Sequence, residues 1–249
     1  MRAIAINVGA NTNEPGFRGP IRADGRFKFL PIPETKSTSE PVPTYGDLAP
    51  KLSTQIPASV ESTPVHLDPE FAGYPFCENY TYGDDHGVKA GPLSSLETGD
   101  YVFFYATLSV AESAAWLPPE WGAFLIGQFR LASDPLSPGK GESALTMDRL
   151  HSHKDLHERF ANNAHVKRDP LDAAVLLAGS PADSRLYSRA RPLSSPAGGT
   201  EPNDVVLEHS TDSGRGPWWR RPLRFDAEST ETLLGSLALS PDKFQNYHG

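Results

Sequence analysis

Two apolar runs constrain this chain most. Tyr101–Leu108 and Trp121–Leu131 are dense in aromatic and aliphatic side chains, and the link between them carries Trp116, Pro118 and Pro119. Runs this apolar need burial, and a turn-rich link predicts that they lie side by side as strands of one sheet. Gly99-Asp100 is the turn that opens the first. The 24 prolines and 21 glycines of the 249 residues then rule out long helices and call for many turns and ordered loops.

Shorter strands are expected at Ala3–Val8, Phe27–Leu30, Ala173–Ala178, Ser184–Leu193 and Asp204–His209. Helices are expected near Asp47–Leu52, at Asp148–Asn162, and at Ala227–Leu239 with Asp226 as its N-cap. There is no βαβ alternation, and no GxGxxG or GxxxxGK[ST] loop follows a strand, which argues against Rossmann and P-loop folds. The expected fold is α+β: a single domain over residues 1–249, built on a strongly bent, largely antiparallel sheet with a few peripheral helices. Residues 31–64 form a proline-rich loop region within it, placed to pack over the core as a lid would.

The formal charge of −8 repels bare phosphate at long range and argues against a general nucleic-acid coat. The charge is uneven. The stretch from Arg185 to Arg224 holds seven arginines, no lysine and four acids, a net +3 that leaves −11 elsewhere. Such a surface suits one phosphate-bearing ligand, and equally an ordinary solvated face with internal ion pairs. Cys77 is the single cysteine, so no internal disulfide or multi-cysteine zinc site can form. A reducing, cytoplasmic location is expected. The first residues lack a signal-peptide pattern, and the apolar runs are far shorter than a membrane span, so no membrane partner is expected.

Polar residues in turn-like contexts mark the candidate site. In His66-Leu67-Asp68-Pro69, His66 and Asp68 face one side of an extended stretch, where the carboxylate can fix the imidazole tautomer. Asp-Pro is also a plain turn opening. His165 is a candidate general acid/base or base-edge contact, because imidazole titrates near neutrality. The N-terminal rim, Asn7, Asn11, Asn13 and Arg18, offers amides and a guanidinium for a planar or anionic ligand, with Asn11 and Arg18 the chosen ligand contacts. Trp218-Trp219, flanked by Arg215 and Arg220, suits a base stacked on indole with arginine on its phosphate, so Trp218 and Arg220 join the ligand set. Adjacent residues of a strand face opposite ways, so only one indole can serve. His151, His153 and His157 cluster on the middle helix, and the i,i+4 pair His153/His157 has metal-ligand spacing, but Lys154 stands where a metalloprotease glutamate would and no metal is assigned. No flavin or nicotinamide fingerprint is present, so the cofactor is unknown.

Several segments together resemble one family. They are Ala3–Val8 with its polar turn, Gly19-Pro20-Ile21, Asp24-Gly25, Leu30-Pro31-Ile32-Pro33, Tyr45-Gly46-Asp47-Leu48, His66-Leu67-Asp68-Pro69, Gly99–Tyr105, Phe124–Gly127, Tyr187-Ser188-Arg189 and Trp218-Trp219. This order resembles the nucleotide modification associated domain 3 family, found among nucleobase-modifying protein sets of phages and bacteria. The resemblance implies a nucleotide or modified-base ligand, other modification-system proteins as partners, and Ser188 and Arg189 as ligand contacts; it implies no reaction. Where that family has a His-Pro-His-Val step, Asn163-Ala164-His165-Val166 keeps the second histidine and the valine. Gly99–Tyr105 with Phe124–Gly127 is also similar to the barrel core of PUA-like and EVE-like base-reading domains. Three functions follow as expectations: an enzyme acting on a nucleotide or base in DNA by group transfer or hydrolysis, with His66, Asp68 and His165 catalytic; a non-catalytic reader of modified bases; or an interaction subunit of a modification or defence complex, docking through 31–64.

Overall fold

The computed structural model describes residues 1–137, 154–212 and 216–238. The two apolar runs are its centre. Strands β6 (Tyr101–Val110) and β7 (Trp121–Arg130) pair antiparallel over their whole length, as the sequence predicts. Earlier in the chain come β1 (Ala3–Asn7), β2 (Pro20–Ile21), β3 (Ile32–Pro33), α1 (Tyr45–Leu52), β4 (Val65–His66), β5 (Thr81–Asp84) and α2 (Gly87–Leu93). Later come α3 (Lys154–Phe160), β8 (Val175–Ala178), β9 (Arg185–Pro192), β10 (Ser194–Ser195), β11 (Gly198–Pro202), α4 (Asp204–His209), β12 (Leu223–Phe225) and α5 (Ala227–Ala238).

The main sheet runs β12-β1-β6-β7-β9, and β2 extends β1's side of β6. Strands β1 and β2 both lie parallel to β6, whereas the other pairs are antiparallel. The sheet is therefore mixed, with three of its five strand pairs antiparallel. Its six strands do not close into a barrel among the described residues, so a PUA/EVE-like barrel gains no support. Register shifts at Phe104/Tyr105 and at Leu125/Gly127 bend it.

Both faces of the sheet are covered, which is why β6 and β7 read as continuous apolar runs rather than as alternating ones. Ile4, Ile6, Val102, Phe104 and Ile126 face one core, where Phe71, Phe104 and Phe129 stack edge-to-face at 4.6–5.4 Å. Ala3, Ala5, Phe103, Tyr105 and Leu125 face a second core closed by Trp218, Phe225 and Leu233.

Two strand expectations fail for local reasons. Phe27–Leu30 makes one bridge, Ile21–Phe27; beyond it the backbone is satisfied by loops, with Ala10 N–H and the Tyr74 hydroxyl donating to the Leu30 and Phe29 carbonyls. Asp204–His209 is a helix, not a strand. The Asn203 side chain accepts from the Val206 N–H and Asp204 sits in the first turn, so the cap outweighs the β-branched Val205-Val206 pair. Of the expected helix Asp148–Asn162, residues 148–153 lie outside the described residues; Lys154–Phe160 is helical. Asp226 does cap α5, accepting from Ser229 N–H at 2.9 Å. The 31–64 region is ordered by β3 and by α1, which Thr44 and Asp47 start with a reciprocal capping box. No helix among the described residues is long and apolar enough to cross a membrane.

Candidate functional site

A polar cavity of about 380 Å³ opens beside the C-terminal end of β1, where Asn7, Val8 and Gly9 line it. Its deepest polar groups come from three separate places in the chain. The β3–β4 ladder pairs Ile32 with His66, and Glu34 and Asp68 lie just beyond the ends of those strands. The β5–β8 ladder supplies Gly83. The turn after α3 supplies His165 and Arg168, and Lys36 and Asp85 line the cavity nearby.

Three side chains meet there. His66 Nε2 lies 3.2 Å from His165 Nε2, and Asp68 Oδ2 lies 3.9 Å from the first and 3.5 Å from the second. All three residues are at least 96% buried from solvent, at 3%, 4% and 4% exposure. The rings meet edge to face.

Each member is held by its own partners. His66 Nδ1 contacts Glu34 Oε2 at 2.5 Å. Burial works against the Glu34 charge, yet the His66 and Arg168 hydrogen bonds hold its carboxyl down at about 2. Glu34 is therefore an ionised acceptor, and the proton on His66 belongs at Nδ1. His165 Nδ1 lies 2.6 Å from the Asp172 carbonyl, which can only accept, so its proton belongs at Nδ1 too. The Arg168 guanidinium approaches the same nitrogen at 3.2 Å, but the carbonyl is nearer and fixes the tautomer. Arg168 itself bridges Glu34 and Asp85, at 3.2 and 3.1 Å. Asp68 accepts from Gly83 N–H at 2.9 Å. Asn163, fully buried, accepts from His165 N–H and donates to Thr81 Oγ1, tying the turn to β5.

Gly83 has a steric duty. A Cβ there would sit 2.7 Å from His165 Cδ2, so the imidazole lies flat against bare backbone. Gly9, at φ +87°, is the second glycine the site needs; its left-handed backbone turns the chain at the cavity wall.

The result is a floor of acceptors. Both Nε2 atoms carry lone pairs, and the nearest third group is a carboxylate oxygen. Burial lowers His165 to about 4 and, with Asp84 and Glu70 nearby, raises Asp68 well above the usual carboxylate range. Both shifts say that burial opposes charge on either group.

The expected relay between His66 and Asp68 is corrected by this geometry. Asp68 faces Nε2 and is too distant for a hydrogen bond, and the residue that fixes the tautomer is Glu34. The three residues expected to be catalytic otherwise meet as one cluster. Of the expected ligand contacts, only Asn11 lines this cavity. Arg18 lies outside it, with its guanidinium 4.5 Å over the Trp121 ring and a bond to Thr12. Ser188 and Arg189 line a different hollow beside β9. Trp218 is 1% exposed, its indole N–H donating to the Thr200 carbonyl, so it is core and offers no stacking face. Trp218–Arg220 form a 3₁₀ turn rather than a strand, with Arg220 exposed on its outer side. Of the tyrosines nearby, Tyr82 lines the cavity and bonds Asp84, whereas Tyr105 is core and bonds the Arg221 carbonyl. Cys77 is a small buried hydrophobe whose thiol burial pushes up to about 12. His151, His153 and Arg215 lie outside the described residues, and His157 is exposed on α3.

Glu34, Arg168, Asn163 and Gly83 escape a reading of the sequence. Glu34 closes the Leu-Pro-Ile-Pro segment and Arg168 follows His165 by three residues, which is the only local signal either one carries.

A family model described as nucleotide modification associated domain 3 matches residues 2–235. No curated protein and no solved structure matches the chain.

Proposed function

The chain belongs to the nucleotide modification associated domain 3 family, whose name ties it to nucleotide modification, and from that premise we propose that it is an enzyme. It processes a nucleotide or a base of DNA by hydrolysis or group transfer, in the cavity floored by His66, Asp68 and His165. The observation that carries this reading is their meeting at 3.2–3.9 Å, although up to 99 residues of chain separate them. Structural cores seldom gather two imidazoles and a carboxylate with their acceptor atoms turned inward; reaction centres do.

The cavity volume, about 380 Å³, suits a base-sized ligand. The Asn11 amide at its wall can address a base edge, and Lys36 and Lys89 can address a phosphate, whereas the Asn7 amide is spent on the Trp219 carbonyl at 2.9 Å. An acceptor-only floor takes a proton from a water or hydroxyl held above it. A base-reading role that stacks its ligand on Trp218 has no platform, because that indole is buried.

The test is incubation of the purified full chain with nucleoside monophosphates and with oligonucleotides carrying plain and modified bases, read by mass spectrometry. Wild type yields a product of altered mass, and His66→Ala and His165→Ala each lower its rate by about 10²-fold or more. Unchanged masses across the panel, or variants as fast as wild type, contradict the reading.

A further inference from the structure

We propose that His66, Asp68 and His165 are the three protein ligands of a divalent transition-metal ion, zinc in the first instance, whose remaining position faces the cavity. This rests on the geometry of the cluster and stands or falls apart from the nucleotide reading.

The first argument is hydrogen-bond bookkeeping. Glu34 Oε2 and the Asp172 carbonyl consume the Nδ1 protons of the two rings. Both Nε2 atoms and Asp68 Oδ2 then lie within 4.8 Å of one another, and with each ring neutral and protonated at Nδ1 neither Nε2 is a donor. Three buried acceptors pointing at one space need something positive in it. A proton on Asp68 does not bridge them, because 3.5 and 3.9 Å are too long for an O–H···N hydrogen bond.

The second argument is metric. A tetrahedral ion with bonds of about 2.0–2.1 Å holds its ligand atoms about 3.3–3.4 Å apart. The observed separations, 3.2, 3.5 and 3.9 Å, bracket that value. The third is the outer shell. Metal-bound imidazoles donate their other N–H to a carboxylate or a backbone carbonyl, and here one ring has each kind of partner. Asp68 is likewise oriented, by the Gly83 N–H. Two histidines and one carboxylate with an open position is a donor set used by catalytic zinc, and imidazole donors do not suit magnesium.

Held there, the ion brings the pKa of a bound water to about 7, the proton passing to solvent, and supplies hydroxide where hydrolysis would need it.

The test is calorimetric titration of the chelator-treated full chain with zinc chloride, with magnesium chloride as the comparison. One zinc binds per chain. Asp68→Asn, His66→Ala and His165→Ala each weaken it at least tenfold, and His157→Ala, on exposed α3, leaves it unchanged. Asp68→Asn preserves shape, and circular dichroism identifies any variant that has lost its fold. For such a variant, X-ray absorption of wild type with one zinc decides instead, two imidazoles and one oxygen being expected from the protein. Zinc binding that persists in folded Asp68→Asn and His165→Ala overturns the proposal. So does the absence of zinc binding, which would leave a proton on His66 Nε2 as the occupant, or an equal preference for magnesium.

Discussion

At the residue scale, the site is an exercise in who may donate. Glu34 and the Asp172 carbonyl dictate two tautomers, and those tautomers turn both Nε2 atoms into acceptors. Gly83 then sets how closely the His165 ring can lie. A methyl group at this position, 2.7 Å from Cδ2, forces the imidazole off its place while leaving its hydrogen-bonding chemistry intact. Gly83→Ala should therefore weaken zinc binding by about 10–100-fold, the usual cost of disturbing the support of a metal ligand. Calorimetry of the folded variant measures it, and an affinity equal to wild type would show that the ring has room to spare.

At the element scale, short pieces position the chemistry. Strands β3 and β4 are two residues each, yet their ladder pairs Ile32 with His66 and so brings the Glu34 carboxylate to the His66 ring, and β5 sets Gly83 against His165. Helix α4 shows the force of capping. Removing the Asn203 side chain in Asn203→Ala should cost about 1 kcal/mol, a fall of roughly 2–4 °C in the thermal midpoint. An unchanged melting curve would mean that packing of Val206 alone holds the helix.

This scale also separates what the sequence discloses from what it hides. The β6–β7 pair, β1, β8, β9 and the Asp226 cap are legible, because apolar runs, turn residues and caps act locally. His66, Asp68 and His165 are legible as polar residues in turn-like settings. Glu34, Arg168 and Asn163 are not, since a buried charge or amide acquires meaning only from a partner that the fold brings to it. The helix at Asp204–His209 is hidden by its two valines, whose β preference loses to a single capping amide.

At the scale of the whole molecule, one sheet serves two cores, and the site stands at the end of the strand they share. Trp218 belongs to the core on the side away from His66, with its indole N–H satisfied by Thr200. Trp218→Ala should cost about 3–5 kcal/mol in denaturant unfolding, as a large emptied core site does, with zinc affinity in the folded fraction unchanged. A stable variant with impaired ligand binding would instead return that indole to the ligand surface.

The claim on which the account turns is that three distant side chains act as one centre. Anomalous diffraction at the zinc edge, on crystals grown with one equivalent of zinc, tests it directly. The account predicts a single peak about 2.0–2.2 Å from His66 Nε2, His165 Nε2 and Asp68 Oδ2. Zinc found only on surface groups, with the two imidazoles still in contact across an empty gap, would contradict it.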